Sequence, residues 1–244
     1  MACHKDMTAA PSRQTEPSLP PVVSAQEWQA KLCELARQEK AATTARQALS
    51  AARRRMPMTL IEKDYRFLGS KGEMSLPDLF AGRRQLILYR FFFEPGVADW
   101  PTGACRGCSI FADSITHPSH VAARDISLAF VSPAPQHLIA AYRARMGWTI
   151  PWYTLIGDDF SRDFGVHEWA GINVFLSDAG KVYRTYFLNG PELEAVGAVW
   201  SLLELTPFGQ QETTEESPAG WPQGEPRSWY QLHDEYDAVR NKCQ

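Results

Sequence analysis

Two cysteines, Cys105 and Cys108, are separated by two residues and lie between an apolar run and a helical pattern. The apolar run extends from Leu86 to Phe93, and the helical pattern extends from Ile110 to Arg124. The free amide groups and the dipole at the start of a helix stabilise a thiolate, and Arg106 adds a positive charge beside the first thiol. We therefore expect Cys105 to act as a nucleophile and Cys108 to close a disulfide with it.

The composition limits the classes of protein to which the chain can belong. Its 244 residues are enough for one large domain, and 44% hydrophobic with 22% charged residues is ordinary for a globular protein. A net charge of -3 argues against a general nucleic-acid binder, because phosphate binding needs surplus positive charge. No apolar run approaches a membrane span of about 20 residues. No secretory signal is visible before Pro20, so we expect a cytoplasmic protein.

The remaining cysteines do not indicate a disulfide framework. The total of five is odd, and Cys3, Cys33 and Cys243 lie in or near the expected termini. We interpret these three residues as free thiols without a role. The redox chemistry of the chain, if it has any, then belongs to the Cys105 and Cys108 pair alone.

Four parts follow one another along the chain. Residues 1–23 are polar and rich in proline, which is typical of a disordered tail. Ser24 and Glu27 form a capping box before an apolar stripe of helical spacing, so residues 24–57 are predicted to form one helix. We expect this helix to pack across the domain or to join two copies in a homodimer. A domain over residues 58–209 follows, and then a tail over residues 210–244 with a short docking helix from Trp229 to Val239.

The order of elements within residues 58–209 predicts an α/β fold of the thioredoxin-like type, a central mixed sheet flanked by helices. A hairpin and a short helical turn come first. The apolar strand, the cysteine pair and a helix follow, and then a second buried strand and a second helix. A loop at 148–166, another hairpin at 172–187 and a last helix at 192–205 complete the order. The first hairpin with its helical turn is predicted at 60–80, the two buried strands at 86–93 and 126–132, and the helices that follow them at 110–124 and 135–146.

Several motifs make the chain similar to a known family. They comprise Arg53-Arg54-Arg55-Met56-Pro57-Met58, Glu62-Lys63-Asp64-Tyr65, Cys105-Arg106-Gly107-Cys108-Ser109, Phe111-Ala112-Asp113, Ala123-Arg124-Asp125, Arg145-Met146-Gly147-Trp148, Pro151-Trp152, Asp159-Phe160, Asp163-Phe164, Leu205-Thr206-Pro207 and His233-Asp234-Glu235-Tyr236. Over most of residues 35–236 the chain resembles the bacterial thioredoxin-like family catalogued as domain of unknown function 899. The resemblance implies a thioredoxin-like fold, related to that of peroxiredoxins, and a thiol-disulfide or peroxide-related activity.

Two of the positions at which the chain departs from this family and from typical thioredoxins concern the substrate. Arg184 stands where the family pattern has a histidine, which puts the substrate of this member in doubt. Asn173 stands near the position at which thioredoxins carry a cis proline facing the cysteines. Because a cis bond before a residue other than proline costs about 3 kcal/mol, we expect a trans bond here. We also expect Asn173 to contact the substrate.

The predicted substrate is a disulfide or a peroxide, either a small molecule or part of a protein, and a thiol reductant would regenerate the enzyme. Three tryptophans, Trp100, Trp148 and Trp152, together with Trp169, are candidates for the walls of a substrate cleft. Aromatic side chains also pack in cores, so that interpretation of the same residues stays open.

A second hypothesis assigns the cysteines to a metal ion instead of a redox reaction. Thioredoxin-fold copper chaperones bind metal through two cysteines and a histidine from the loop before the hairpin. His167 lies in that loop, and two thiolates with an imidazole suit copper or zinc. The spacing of the ligands differs from that of the copper proteins. A third hypothesis is a binding module without chemistry that is joined through the N-terminal helix.

Overall fold

In the part of the chain that the structure describes, eight strands form one sheet in the order β1-β8-β7-β4-β5-β6-β2-β3. The computed structural model describes residues 19–115, 117–166 and 170–236. The strands are β1 (Thr59–Ile61), β2 (Arg66–Gly69), β3 (Gly72–Ser75), β4 (Gln85–Arg90), β5 (Ile126–Ser132), β6 (Trp152–Leu155), β7 (Gly171–Asp178) and β8 (Lys181–Asn189). The helices are α1 (Ala25–Arg53), α2 (Arg106–Asp113), α3 (Pro118–Ala122), α4 (Gln136–Met146), α5 (Asp159–Asp163) and α6 (Ala198–Leu203), with 3-10 helices at Pro77–Phe80 and Gly190–Val196.

The middle of the sheet has the strand order of the thioredoxin fold. Strand β4 pairs in parallel with β5, and β5 pairs in parallel with β6. On the other side, β7 is antiparallel to β4, and β8 forms a hairpin with β7. The predicted mixed sheet of the thioredoxin-like type is therefore confirmed. Strands β4 and β5 end at the same edge of the sheet, where open α/β folds bind their ligands.

Apolar side chains pack against both faces of this sheet. One core contains Tyr89 and Phe130 from the strands and Phe91 directly after β4, together with side chains of α2, α4 and α6. The other core contains Leu86 and Leu88 of β4 with side chains of α5. Successive residues of β4 thus point to opposite faces, as the geometry of a strand requires.

Helix α1 forms as predicted but buries none of its side chains, although the guanidinium of Arg53 at its end lies 5.1 Å from the ring centre of Tyr186 in β8. The capping box is present, because the Glu27 amide donates to the Ser24 side chain and the Glu27 carboxylate accepts from the Ser24 amide. None of the side chains of α1 is buried, and Trp28 and Leu35 are exposed. The prediction that α1 packs across the domain is therefore wrong for a single chain. Packing against a second copy stays a prediction.

Two predicted helices are each divided into shorter elements. The range 110–124 contains α2, which starts earlier at Arg106, and α3, which starts at Pro118. Proline is favoured in the first turn of a helix, so Pro118 marks a new start. The range 192–205 is divided by Gly197 between a 3-10 helix and α6. A methyl group at Gly197 would clash with the ring of Trp200, so this close approach requires glycine.

Two other segments also differ from the expectation. The predicted loop from Trp148 to Val166 contains strand β6 and helix α5, because a run of only four residues with a strand pattern carries a weak signal. Most of the predicted docking helix is irregular from Trp229 to Glu235, and residues 237–239 lie outside the described part. The tail nevertheless docks, because Tyr230 and Leu232 are buried. Within residues 19–115, 117–166 and 170–236, the helices are too short or too polar to cross a membrane.

Removal of residues 1–56 is expected to leave a chain whose melting temperature is within about 2 °C of that of the full chain, because no side chain of α1 is buried. As a control, removal of residues 1–61 also deletes β1, which pairs with β8, and should lower the melting temperature. Thermal denaturation followed by circular dichroism measures both variants. A large decrease for the first truncation would show that α1 packs on a domain in solution.

Candidate active site

Cys105 lies at the N-terminus of α2, in the loop that follows β4. It is the N-cap residue of the helix, and its sulfur accepts the amide hydrogen of Cys108 at 3.4 Å. The amide of Cys105 donates to the carbonyl of Phe92 at 3.1 Å, which ties the motif to the end of the strand. The structure therefore places Cys105 where the sequence predicts, at the edge of the sheet and at the start of the helix.

The surroundings of Cys105 favour its ionised form. The pKa of its thiol is lowered to about 7, mainly by a hydrogen bond from the Cys108 thiol. Burial opposes this effect, while the amide groups of Cys108 and Gly107 and the positive charge of Arg227 add to it. A thiolate is the reactive form of cysteine, so a substantial fraction of Cys105 is nucleophilic at neutral pH.

Cys108 has the opposite character. Only 2% of its surface is exposed, and burial raises its pKa well above the ordinary value. The hydrogen bond to the Cys105 sulfur adds to this effect, and hydrogen bonds from the Phe92 amide and the Tyr89 hydroxyl oppose it in part. Both residues are free thiols in the structure. The pair is thus asymmetric, with one reactive thiolate at the surface of a cavity and one protonated thiol behind it.

Arg106 does not have the role that the sequence suggests. Its guanidinium pairs with Asp99 at 3.4 Å and with Glu235 at 3.7 Å. The guanidinium whose charge lowers the pKa of Cys105 is instead that of Arg227. Arg227 lies far along the chain, in a segment expected to be a tail, so no local pattern around the cysteines could have indicated it.

A buried arginine fixes the loop between β4 and Cys105. Arg90 pairs with Glu94 at 2.7 Å and donates to the carbonyl of Phe91 at 2.6 Å. Its guanidinium lies 4.9 Å from the ring centre of Phe92, which is one wall of the cavity beside Cys105. A buried charge requires such partners, and here they hold the loop in one conformation.

A cavity of about 260 Å³ opens beside the Cys105 sulfur. Its walls come from β4, α2, the second 3-10 helix, α6 and the C-terminal segment, by which we mean residues 210–236. The lining residues are Tyr89, Phe92, Cys105, Gly107, Cys108, Phe111, Ala170, Gly190, Leu193, Glu194, Trp200, Arg227 and Tyr230. Most of these side chains are apolar or aromatic, so the cavity combines a thiolate with apolar walls.

The three tryptophans proposed from the sequence do not line this cavity. Trp152 is buried and donates to the Ser132 hydroxyl at 2.9 Å. Trp148 donates to the Asp113 carboxylate at 2.7 Å, and Trp100 packs edge-on against an aromatic ring of the core. These three residues are core packing, so their placement in the cleft walls is wrong for this cavity. Trp169 lies outside the described residues.

Asn173 is also not at the cavity. It pairs with Leu88 in the register of β4 and β7, and both side chains lie on the face of the sheet opposite to the cysteines. Its exposed fraction is 0%, and among the described residues its amide group has no hydrogen-bond partner. The expected substrate contact is therefore wrong. Its peptide bond is trans, as predicted, and Ala170 lines the cavity instead.

Two further sequence expectations concern the face opposite to the cysteines and the loop before β7. Arg184 donates to the carbonyl of Phe164 at 3.1 Å and lies over the rings of Phe164 and Phe187, away from the cavity. His167, the third ligand of the alternative copper or zinc site, lies outside the described residues. Within the described ranges, no group of three or more potential metal ligands is found. The metal site stays a prediction.

Ion pairs fasten the C-terminal segment to the helices that carry the motif. Arg145 of α4 binds both carboxylate oxygens of Asp234, at 2.7 and 2.9 Å. His233 contacts the Asp113 carboxylate of α2 at 2.9 Å, and the pairing of Glu235 with Arg106 adds a third link. The pKa of Asp234 is lowered, chiefly by the hydrogen bond from Arg145. Motifs that are distant in the sequence thus meet beside the cysteines.

A buried carboxylate positions Arg227 at the cavity. Glu212 is 7% exposed and accepts the Arg227 amide at 2.7 Å and the Trp229 indole N–H at 2.9 Å. Arg227 has φ of 62°, in the left-handed region that is unfavourable for side chains other than glycine. The hydrogen bonds to Glu212 offset this strain and direct the chain back toward the motif.

The ring of Tyr230 covers the middle of the cysteine motif. A methyl group at Gly107 would lie 3.2 and 3.4 Å from two ring carbons of Tyr230. Tyr230 accepts the indole N–H of Trp200 at 3.0 Å, which fixes the ring in place. Glycine between the two cysteines therefore permits the close approach of the C-terminal segment to the motif.

The rate of Cys105 alkylation by iodoacetamide is expected to rise with pH through a midpoint near 7, because the thiolate is the reactive form. The variant Cys108→Ala removes the main donor to the thiolate, so its midpoint should move up toward the value of a free cysteine, about 8.5. Peptide mass spectrometry assigns the alkylated residue. An unchanged midpoint in the variant would show that the Cys108 thiol does not stabilise the thiolate.

Gly107→Ala and Tyr230→Ala are expected to be strongly non-additive. When Tyr230 is absent, Gly107→Ala should stabilise the protein by about 0.5–1 kcal/mol, because alanine is the better helix former. When Tyr230 is present, the contact between the added methyl group and its ring should cancel this gain. Urea denaturation of the two single variants and the double variant gives the coupling energy. Equal effects of Gly107→Ala in both backgrounds would contradict the observed contact.

Comparison with known proteins gives a family and a set of partial structural matches. The chain is similar to BsSco, of the Sco family of cytochrome c oxidase assembly proteins, with 13% identity, 57% of this chain, 91% of that chain and a TM-score of 0.37. StoA from Bacillus subtilis is 12% identical, and the match covers 54% of this chain and 91% of that chain with a TM-score of 0.37. The bacterioferritin comigratory protein of Xanthomonas campestris, whose alkyl peroxide reduction activity has been described, is 11% identical. That match covers 55% of this chain and 88% of that chain with a TM-score of 0.36.

Similarity at this level carries no information about function, and the fold assignment rests on the strand order. No curated protein matches the chain. A family model described as bacterial protein of unknown function (DUF899) matches residues 17–236, which include every element of the sheet and the whole cavity wall. The chain therefore belongs to the DUF899 family of bacterial proteins.

Proposed function

We propose that the protein is a thiol-based oxidoreductase whose Cys105 and Cys108 reduce an S–S or O–O bond by two electrons. The observation that carries this proposal is the asymmetry of the pair. Cys105 has a pKa lowered to about 7 and borders a cavity, whereas Cys108 is buried and has a raised pKa. A nucleophile that is ionised first and a second thiol that reacts afterwards are the requirements of such a reaction.

With a disulfide substrate, the Cys105 thiolate attacks one sulfur and forms a mixed disulfide, and the other half of the substrate leaves as a thiolate. Cys108 then loses its proton to that thiolate and attacks the Cys105 sulfur. The second half of the substrate leaves as a thiolate. The substrate gains two electrons, and the cysteine pair loses them as it becomes a disulfide.

With a hydroperoxide substrate, the Cys105 thiolate takes the terminal oxygen and becomes a sulfenic acid, while the remainder leaves as an alcohol after protonation. Cys108 attacks the sulfenic sulfur, water leaves, and the same disulfide forms. A dithiol reductant returns the pair to two thiols and is itself oxidised to a disulfide. Both substrates therefore pass through one oxidised form of the protein.

Cys105→Ser is expected to lower the rate of substrate reduction by about a thousandfold or more, because it removes the nucleophile. Without dithiothreitol, Cys108→Ser should react once with a disulfide and then stop as a mixed disulfide, since the protein has lost the thiol that resolves the intermediate. Intact-protein mass spectrometry detects this adduct, and a coupled dithiothreitol assay measures turnover. Cys33→Ser, which changes an exposed thiol in α1, is the matched control and should turn over at the rate of the unaltered protein. Full turnover by Cys105→Ser would refute the proposal.

A further inference from the structure

The walls of the cavity beside Cys105 are built for an apolar ligand. Five of the lining side chains are aromatic, and Leu193 adds an aliphatic one. Tyr89, Trp200 and Tyr230 are buried within the core cluster, so these walls are supported from behind and do not collapse into the cavity. An aromatic or branched alkyl group that enters this space removes apolar surface from water on both sides of the contact.

Two oppositely charged side chains of the cavity lining, Arg227 and Glu194, pair with each other. Arg227 lies 3.4 Å from the Glu194 carboxylate, and the hydroxyl of Tyr230 donates to the same oxygen at 3.3 Å. Among the described residues, Arg227 and Glu194 are the only charged side chains in the lining other than the Cys105 thiolate. A substrate with a carboxylate or phosphate would have to compete with Glu194 for Arg227. An anionic substrate is therefore disfavoured, and a neutral substrate meets no such competition.

The volume of the cavity matches that of a small apolar group. A cavity of about 150 Å³ is known to hold benzene, so 260 Å³ accommodates an aromatic ring and several additional atoms. The second 3-10 helix and the C-terminal segment form the walls on two sides, and the ion pairs of Asp234 and Glu235 hold that segment against α2 and α4. A substrate whose reacting bond reaches the Cys105 sulfur through this cavity therefore contacts both of these elements.

We infer that the substrate is a small neutral molecule in which an aromatic or branched alkyl group is attached to the S–S or O–O bond, and that Leu193, Trp200 and Tyr230 select it. This inference rests on the proposed function. The apolar group occupies the cavity, and the reacting bond then lies at the Cys105 sulfur. Trp200 and Tyr230 also hold each other in place through their hydrogen bond, so selectivity depends on the C-terminal segment.

Two matched pairs of electrophiles test the inference on the full-length protein. Cumene hydroperoxide is compared with hydrogen peroxide, and dithiodipyridine with hydroxyethyl disulfide. Oxidation of the cysteine pair is followed by stopped-flow fluorescence, and each rate constant is divided by that of free dithiothreitol to remove intrinsic reactivity. We expect the apolar member of each pair to be favoured by about tenfold or more, as burial of a small apolar group predicts. Insulin disulfides should be reduced much more slowly than dithiodipyridine.

Variants then locate the selectivity in the cavity walls. Tyr230→Ala opens the wall and Leu193→Phe fills the space, and either change should lower the apolar preference by about tenfold. Tyr236→Ala removes the same type of side chain from the same segment without touching the cavity, so its preference should be unchanged. Circular dichroism shows whether each variant is folded. If one of the two cavity variants does not fold, the other still tests the inference.

The outcomes separate the two claims. If none of the electrophiles oxidises the pair, the proposed function itself fails. If all of them react with equal normalised rate constants, or if insulin reacts as fast as dithiodipyridine, the proposed oxidoreductase function is retained and the inferred substrate selectivity is refuted. A preference that persists in both Tyr230→Ala and Leu193→Phe would place the selectivity elsewhere in the protein.

Discussion

The hydrogen bonds that hold a negative charge on the Cys105 sulfur are the interaction on which the structure of the site depends. Partial burial alone would keep this thiol protonated. The Cys108 thiol and the first amide groups of α2 reverse that effect, so the helix has to begin at the cysteine and not later. The loop before it is fixed for the same reason, because a small displacement of Cys105 would remove it from these donors. The buried pair of Arg90 and Glu94 and the bond from Cys105 to the carbonyl of Phe92 supply that constraint.

The C-terminal segment belongs to the site as much as the cysteine motif does. Without it, the start of α2 would lie at an open edge of the sheet. With it, Tyr230 packs on Gly107, and Arg227 brings a positive charge toward the thiolate. The strained backbone of Arg227 persists because Glu212 over-determines it through two hydrogen bonds. Strain that is retained in this way at the wall of a reactive cavity is consistent with a segment shaped for function.

Features with local signals could be predicted from the sequence, and features made by distant contacts could not. The capping box at Ser24, the end of α4 at Gly147 and the hairpin of β7 and β8 each depend on neighbouring residues, and all three are present. The position of Cys105 follows from the order of strand, motif and helix. By contrast, Arg227 and Leu193 reach the cavity only through tertiary packing. The error at Asn173 has a simple geometric reason, because a residue within β7 points to one face only, and here that face is opposite to the cysteines.

The two thiols also show how one apolar environment can produce two chemical roles. Burial raises the pKa of both and is the largest effect on Cys108, whereas the hydrogen bond between the two thiols lowers the pKa of Cys105 and raises that of Cys108. Cys105 meets a thiol, amide groups and a cation, whereas Cys108 is surrounded mainly by apolar side chains and Tyr89. A proton is therefore retained on Cys108 while Cys105 is ionised. Once Cys105 is bound to a substrate, it no longer accepts that hydrogen bond or carries a negative charge. Two of the causes that raise the pKa of Cys108 are then removed, while burial remains. The first chemical step thus prepares the second one.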